Sequence, residues 1–137
     1  MRVVFDTNIF ISALALPGGR AEAALMRILD GRDDLIISRS ILQEVVSVLG
    51  RKFAQDREEL ARVAVWLSEI ATVIVPQEEL RVLTDEADNR VFECAMAGEA
   101  NAIVTGDRDF LAPGKFQGVR VLSLKAYLEE DEFLTPP

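Results

Sequence analysis

Four carboxylates stand where this sequence could do chemistry: Asp6 in VVFDTN, Glu44 in SILQEVVSVL, Asp88 in DEADNRVFECA and Asp107 in VTGDRDFL. Histidine is absent, which removes Ser-His triads, Cys-His pairs, His-ligated zinc and imidazole acid-base work together. Any reaction must therefore run on carboxylates, and a group of carboxylates suits Mg²⁺ or Mn²⁺. Such a site polarises a phosphate oxygen and lowers the pKa of a bound water until hydroxide forms near neutral pH. Four like charges held together repel, so at least one pKa should rise until metal relieves it, and metal should raise thermal stability.

Each acid also has a simpler reading. Asp6 can be a turn or N-cap residue after a strand, and Glu44 a solvated helix acid. Asp88 can be the N3 partner of an N-cap at Asp85, and Asp107 and Asp109 can be turn formers in TGDRD. Only the joint placement of the four favours a metal site.

That placement depends on the elements. Short β-branched runs alternate with longer segments of helical period, without internal repeats or a Gly/Ser/Pro linker. Strands are predicted over residues 2–5, 35–37, 72–75, 102–105 and 119–122, mostly apolar on both faces as in a sheet covered on each side. Helices are predicted over 8–15, 20–31, 40–53, 57–70, 87–98 and 123–130. Ser40 and Gln43 have capping-box spacing, and Gly31 and Gly98 sit where helices should stop. The alternation predicts an α/β fold, a three-layer α/β/α sandwich.

In open parallel sheets, functional groups lie beyond the C-terminal ends of the strands. Asp6 follows the first strand and Asp107 lies two residues past Thr105, so order alone puts both at that edge. The helix over 40–53 carries its apolar stripe on Ile41, Leu42, Val45, Val46, Val48 and Leu49. Glu44 borders that stripe, a position suited to lining a cleft. Asp88 falls in the first turn of a helix with Val91, Phe92, Ala95 and Met96 on its apolar face, where the helix N-terminus should help to keep it ionised.

At 137 residues the chain is the size of one domain, expected over residues 1–128, with an acidic tail over 129–137. The net charge of -8 counts against nucleic-acid binding through a broad basic surface. However, Glu129, Glu130, Asp131 and Glu132 supply four of those charges, and the four candidate ligands would account for another four. Bound divalent cations would reverse the local field where a phosphate approaches. A single cysteine, Cys94, excludes an internal disulfide and fits a reducing compartment. No secretory or membrane-spanning apolar run is visible, so a cytoplasmic location without a membrane partner is expected.

Taken in order, the four quoted segments resemble those of PIN-domain nucleases, over nearly the whole chain apart from the acidic tail. The chain is most similar to the VapC-like ribonucleases described as toxins of bacterial type II toxin-antitoxin pairs. The resemblance implies a five-stranded parallel sheet in flavodoxin-like order 3-2-1-4-5. It also implies one or two Mg²⁺ or Mn²⁺ ions on Asp6, Glu44, Asp88 and Asp107 as the catalytic and metal-binding set, and hydrolysis of RNA. A homodimer and a small antitoxin protein that blocks the site are implied as well. Asn8, Thr105 and Asp109 belong to the same segments and are secondary candidates for positioning metal or water. With water as the attacking group, the products should carry 5'-phosphate and 3'-hydroxyl ends. Of the cations available for phosphate contact, Arg20, Arg39, Arg51, Lys52, Arg57, Arg108 and Lys115, the first choice is Arg51 with Lys52.

Other classes fit less well. A haloacid-dehalogenase-like phosphatase needs a second aspartate two residues after the first, where this chain has Asn8. A receiver domain carries its acceptor after a later strand, but the run over 35–37 ends in Ser38. The non-enzymatic alternative is a PIN-like scaffold that binds RNA or protein without cutting, and the intact acidic quartet argues against it.

Overall fold

Strands form where β-branched and aromatic residues have two faces to bury. The computed structural model describes residues 1–111 and 114–134, with backbone alone at 109, 116 and 131–134. Its strands are β1 (Arg2–Phe5), β2 (Asp34–Ser38), β3 (Ala71–Ile74), β4 (Ala102–Val104), β5 (Lys115–Phe116) and β6 (Val119–Leu122). They join in one sheet of order β3-β2-β1-β4-β6-β5. The five longer strands are parallel, in the expected 3-2-1-4-5 order. The two-residue β5, too short to leave a hydrophobic alternation, adds an antiparallel edge. Gln117 and Gly118 turn between it and β6, both at positive φ as tight two-residue hairpins favour.

The helices are α1 (Thr7–Ala15), α2 (Arg20–Leu29), α3 (Arg39–Phe53), α4 (Arg57–Ile70), α5 (Glu86–Ala97), α6 (Arg108–Leu111) and α7 (Leu124–Leu134). The four-residue α6 was not anticipated, and α7 runs past the expected stop at 130. The Phe5 ring packs on Phe10 of α1 at 5.6 Å and on Tyr127 of α7 at 5.8 Å. Val4 points to the opposite face and pairs in register with Ile36. On that face Gly98, at the end of α5, comes so close that an added Cβ would lie 2.6 Å from Ile36 Cγ2. Helices therefore cover both faces, and Val3, Val4, Phe5, Leu35, Ile36, Ile37 and Ile103 are fully buried between them.

Three local signals resolve differently from one another. Gly31, at φ +78°, ends α2 as expected, with the Arg32 N–H bonded to Arg27 O at 3.0 Å and the Gly31 N–H to Ile28 O at 3.1 Å. At the end of α5 the left-handed residue is Glu99, while Gly98 is needed for its close approach to β2. The capping box expected at Ser40 and Gln43 is replaced by Ser38, whose Oγ accepts the Ile41 N–H at 3.2 Å. The reason is that β2 passes into α3 without a loop, so Ser40 is already inside the helix. This direct passage sets the start of α3 just beyond the C-terminal edge of the sheet.

Away from that edge, Tyr127 Oη donates to buried Asp33 at 2.6 Å, Arg27 approaches Asp33 at 3.3 Å, and the Arg27 guanidinium lies 4.4 Å from the centre of the Tyr127 ring. Burial pushes the Asp33 pKa up, but bonds from the Met1 ammonium and Tyr127 and the charge of Arg27 outweigh it and hold the carboxyl below its usual range. Arg120 of β6 pairs with Glu130, so the start of the acidic run is tied to the sheet. Among the described residues no single helix is long and apolar enough to cross a membrane.

Candidate functional site

Asp6 stands where β1 ends and α1 begins. Its N–H continues the parallel pairing to Val104 O at 3.0 Å, and its Oδ1 accepts the Asn8 N–H at 3.4 Å. The fully buried Thr105 donates its hydroxyl to Asp6 Oδ2 at 2.7 Å and accepts the Asp107 N–H on the same oxygen at 3.1 Å. One hydroxyl thus ties together the two acids that follow β1 and β4. Burial raises the Asp6 pKa; the Thr105 and Asn8 bonds pull it down, and the charges of Asp107 and Asp85 push it up again, leaving it raised.

Asp88 lies in the first turn of α5, which Asp85 caps by accepting the N–H groups of Ala87 at 2.8 Å and Asp88 at 3.3 Å. Leu83, Thr84, Asp85, Asp88, Asp107 and Phe110 line an open cavity of about 600 Å³. Burial first, then the charges of Asp85, Asp6 and Asp107 and a hydrogen bond shared with Asp107, push the Asp88 pKa up to about 7. This corrects the expectation that the helix N-terminus keeps Asp88 ionised: burial, joined by the charges of the neighbouring acids, outweighs the dipole. It agrees with the expectation that one member of the group should be hard to ionise.

The wall of this cavity is held from behind by polar groups of α5. Buried Asn89 accepts the N–H groups of Val82 at 3.1 Å and Leu83 at 2.7 Å and donates to Leu83 O at 2.8 Å. Glu93 accepts the Leu80 N–H at 2.6 Å and pairs with Arg90 at 2.9 Å, and Arg90 donates to Leu80 O at 3.2 Å. Sequence reasoning passed over this clamp because polar residues on a helix usually face water. Its one signal was the four-residue spacing of Asn89 and Glu93, which places both on one face.

Glu44 is exposed and lines an adjoining cavity of about 230 Å³ with Thr7, Ser40, Ile41, Glu86, Ala87 and Arg90. The two cavities are neighbours, since Thr7 follows Asp6 and Ala87 precedes Asp88. Asp6, Asp88 and Asp107 are brought together, with Asp85 added, whereas Glu44 is not among the acids that perturb Asp6 or Asp88. Asn8 is exposed and meets Asp6 through its backbone N–H; the side chain of Asp109 lies outside the described residues. Arg51 and Lys52 are exposed in the last turn of α3 and line neither cavity. Burial pushes the Cys94 thiol up to about 12, against the opposing bonds from Ser38, which leaves it inert as a nucleophile.

The donors around the larger cavity are hard carboxylate oxygens, the class that Mg²⁺ and Mn²⁺ favour. Among the described residues, no group of three or more His, Cys, Asp or Glu side chains is placed so that it could hold a metal ion as it stands. A family model described as PIN domain matches residues 2–109, a span that contains Asp6, Glu44, Asp88 and Asp107. A protein of Methanocaldococcus jannaschii, described as uncharacterized protein MJ1680, is 32% identical over 116 residues, which cover 82% of this chain and 74% of the relative. With the parallel sheet in this order and aspartates following β1 and β4, these matches establish that the chain belongs to the PIN-domain family.

Proposed function

We propose that the chain is a Mg²⁺- or Mn²⁺-dependent endoribonuclease that hydrolyses phosphodiester bonds to 5'-phosphate and 3'-hydroxyl ends. The observation that carries this reading is the electrostatic coupling of Asp6, Asp88 and Asp107 at the C-terminal edge of the sheet, in a family whose members are generally nucleases. The residues fit a divalent cation by donor chemistry and by charge. Crowded carboxylates, one of them near pKa 7, are in the state that a cation relieves. A bound cation supplies charge neutralisation at the phosphate and a more acidic water.

The chain's own residues do the positioning. Thr105 and the Asn8 N–H fix the orientation of Asp6, and the Thr105 oxygen anchors the backbone of Asp107. Asp88, which shares a hydrogen bond with Asp107, would hold the ion as its carboxylate, so that loading the site would release a proton near neutral pH. Glu44 joins from the adjoining cavity. In the same reading the protein is the toxin of a toxin-antitoxin pair, a cytoplasmic homodimer held in check by a small antitoxin; the sequence resemblance is what supports this part.

The test is to incubate the wild type and Asp6→Asn with mixed RNA in Mn²⁺, Mg²⁺ or chelator and to map the fragment ends. The wild type should cut only with metal and leave 5'-phosphates, and Asp6→Asn should be slower by about a hundredfold or more. Cyclic phosphate ends would overturn the water mechanism. RNA binding that ignores metal and releases no fragments would favour the scaffold.

A further inference from the structure

The smaller cavity beside the aspartates lies where three helices begin. Thr7 opens α1, Ser40 and Ile41 stand in the first turn of α3, and Glu86 and Ala87 in that of α5; Glu44 and Arg90 complete its lining. Thr7 is only 8% exposed, yet its hydroxyl has no hydrogen-bond partner among the described residues. A side-chain hydroxyl so nearly buried is normally bonded. One left open on a cavity points to a ligand.

That ligand is not a phosphate. First-turn N–H groups that could hold an anion are already taken, Asn8 by Asp6, Ile41 by Ser38, and Ala87 and Asp88 by Asp85. Arg90 spends its terminal nitrogens on Glu93 at 2.9 Å, Leu80 O at 3.2 Å and Glu79 at 3.5 Å. Its charge is thereby offset and its plane held, so what it can offer a ligand is the flat face. Glu44 and Glu86 line the same cavity, and Glu86 makes no hydrogen bond or ion pair among the described residues. A flat, uncharged group with N–H donors suits these walls, and in RNA that is a base. Bases of single strands stack on guanidinium planes and are read along their Watson–Crick edges. Of the four RNA bases, guanine alone carries two adjacent donors there, N1–H and the N2 amino group, which one carboxylate can accept together.

We propose that this cavity is a base pocket that takes an unstacked guanine of single-stranded RNA, with Glu86 accepting from its Watson–Crick edge, Arg90 stacking on its face and Thr7 bonding its polar rim. The assignment rests on the nuclease reading above and leaves Glu44 to the cation. It sets a guanosine beside the bond that is cut.

The experiment titrates the full chain, in chelator, with guanosine, inosine, adenosine and uridine and follows the amide NMR signals of Thr7, Ile41 and Ala87. It uses the wild type, Glu86→Gln, Thr7→Val and, as control, Glu59→Gln, since Glu59 is a first-turn acid of α4 that lines neither cavity. Guanosine should move these signals in the wild type, and inosine, which lacks the N2 amino group, should bind about tenfold more weakly. Glu86→Gln should lose that preference and Glu59→Gln should keep it. Thr7→Val should melt like the wild type, because its hydroxyl bonds nothing within the chain, and should bind guanosine more weakly. Equal binding of all four nucleosides, or wild-type guanosine affinity in Glu86→Gln, would overturn the assignment. Fragment ends from mixed RNA cut in Mn²⁺ should show guanosine next to the break, and cutting without that preference would overturn the base pocket while leaving the nuclease standing. Guanosine binding by a wild type that cuts nothing would overturn the nuclease reading and keep the pocket as that of an RNA-binding scaffold.

Discussion

Thr105 carries the geometry of the candidate site at the scale of single residues. Its hydroxyl is fully buried, donates to Asp6 and accepts from the Asp107 backbone, so it fixes two acids that are far apart in sequence. Thr105→Val keeps the shape and removes both bonds. It should cost about 1–3 kcal/mol of stability, because two polar groups lose their partner. The Asp6 pKa should climb further, since the Thr105 bond is the stronger of the two that restrain it, and Mn²⁺ binding should then need a higher pH. Denaturant melts and Mn²⁺ titrations at two pH values check both effects. A variant as stable as the wild type would show that the hydroxyl holds nothing.

Among the elements, the passage from strand to helix decides which cations can meet a substrate. Because β2 runs straight into α3, Arg39 stands at the same edge as Asp6; Arg108 opens α6 directly after Asp107, and both arginines are exposed. Arg51 and Lys52 follow Glu44 by seven and eight residues, which sets them roughly 10 Å farther along the helix axis. Position therefore favours Arg39 and Arg108 over the pair preferred from sequence. Replacing both by Ala should weaken RNA binding and flatten the slope of log K against log salt by about 1.4, for two phosphate contacts on a single strand. The Arg51→Ala, Lys52→Ala pair should change neither. Binding measured at several salt concentrations decides, and the reverse pattern would place the RNA along the far end of α3.

For the molecule as a whole, the acids at the two ends of the parallel strands pull stability in opposite directions with pH. Asp6 and Asp88 have raised folded-state values, so the folded chain holds protons that the unfolded chain releases. Without metal, stability should therefore fall as pH rises from about 4, the unfolded value, to about 7, the folded value of Asp88. Asp33 is lowered, and its contribution is present above the unfolded carboxyl value and lost as pH falls through the folded one. The Tm of the metal-free protein should peak in mildly acidic solution. Asp88→Asn should flatten the limb above the peak, and Mn²⁺ at a hundred times its Kd should add about 2.7 kcal/mol. Melting curves from acid to mildly alkaline pH, with and without Mn²⁺, test this. A metal-free Tm that stays level between pH 4 and 7 would mean that neither burial nor neighbouring charge holds protons on Asp6 and Asp88.

What the sequence determined by itself was the pattern of the longer elements. Apolar runs and helical periods were enough for the alternation of the five longer strands with the six longer helices, the family resemblance implied the parallel 3-2-1-4-5 order, and chain order put Asp6 and Asp107 just past their strands. Hydrophobic period is a property of neighbours along the chain, which is why those readings survive. The tertiary structure alone decided that Asp88 resists ionisation, that Asp85 shares its cavity, that Glu44 lines the adjoining one, and that Ser38 rather than Ser40 caps α3. The first three depend on burial and on charges brought in from distant segments. The cap depended on how β2 meets α3, which the spacing of Ser40 and Gln43 could not reveal.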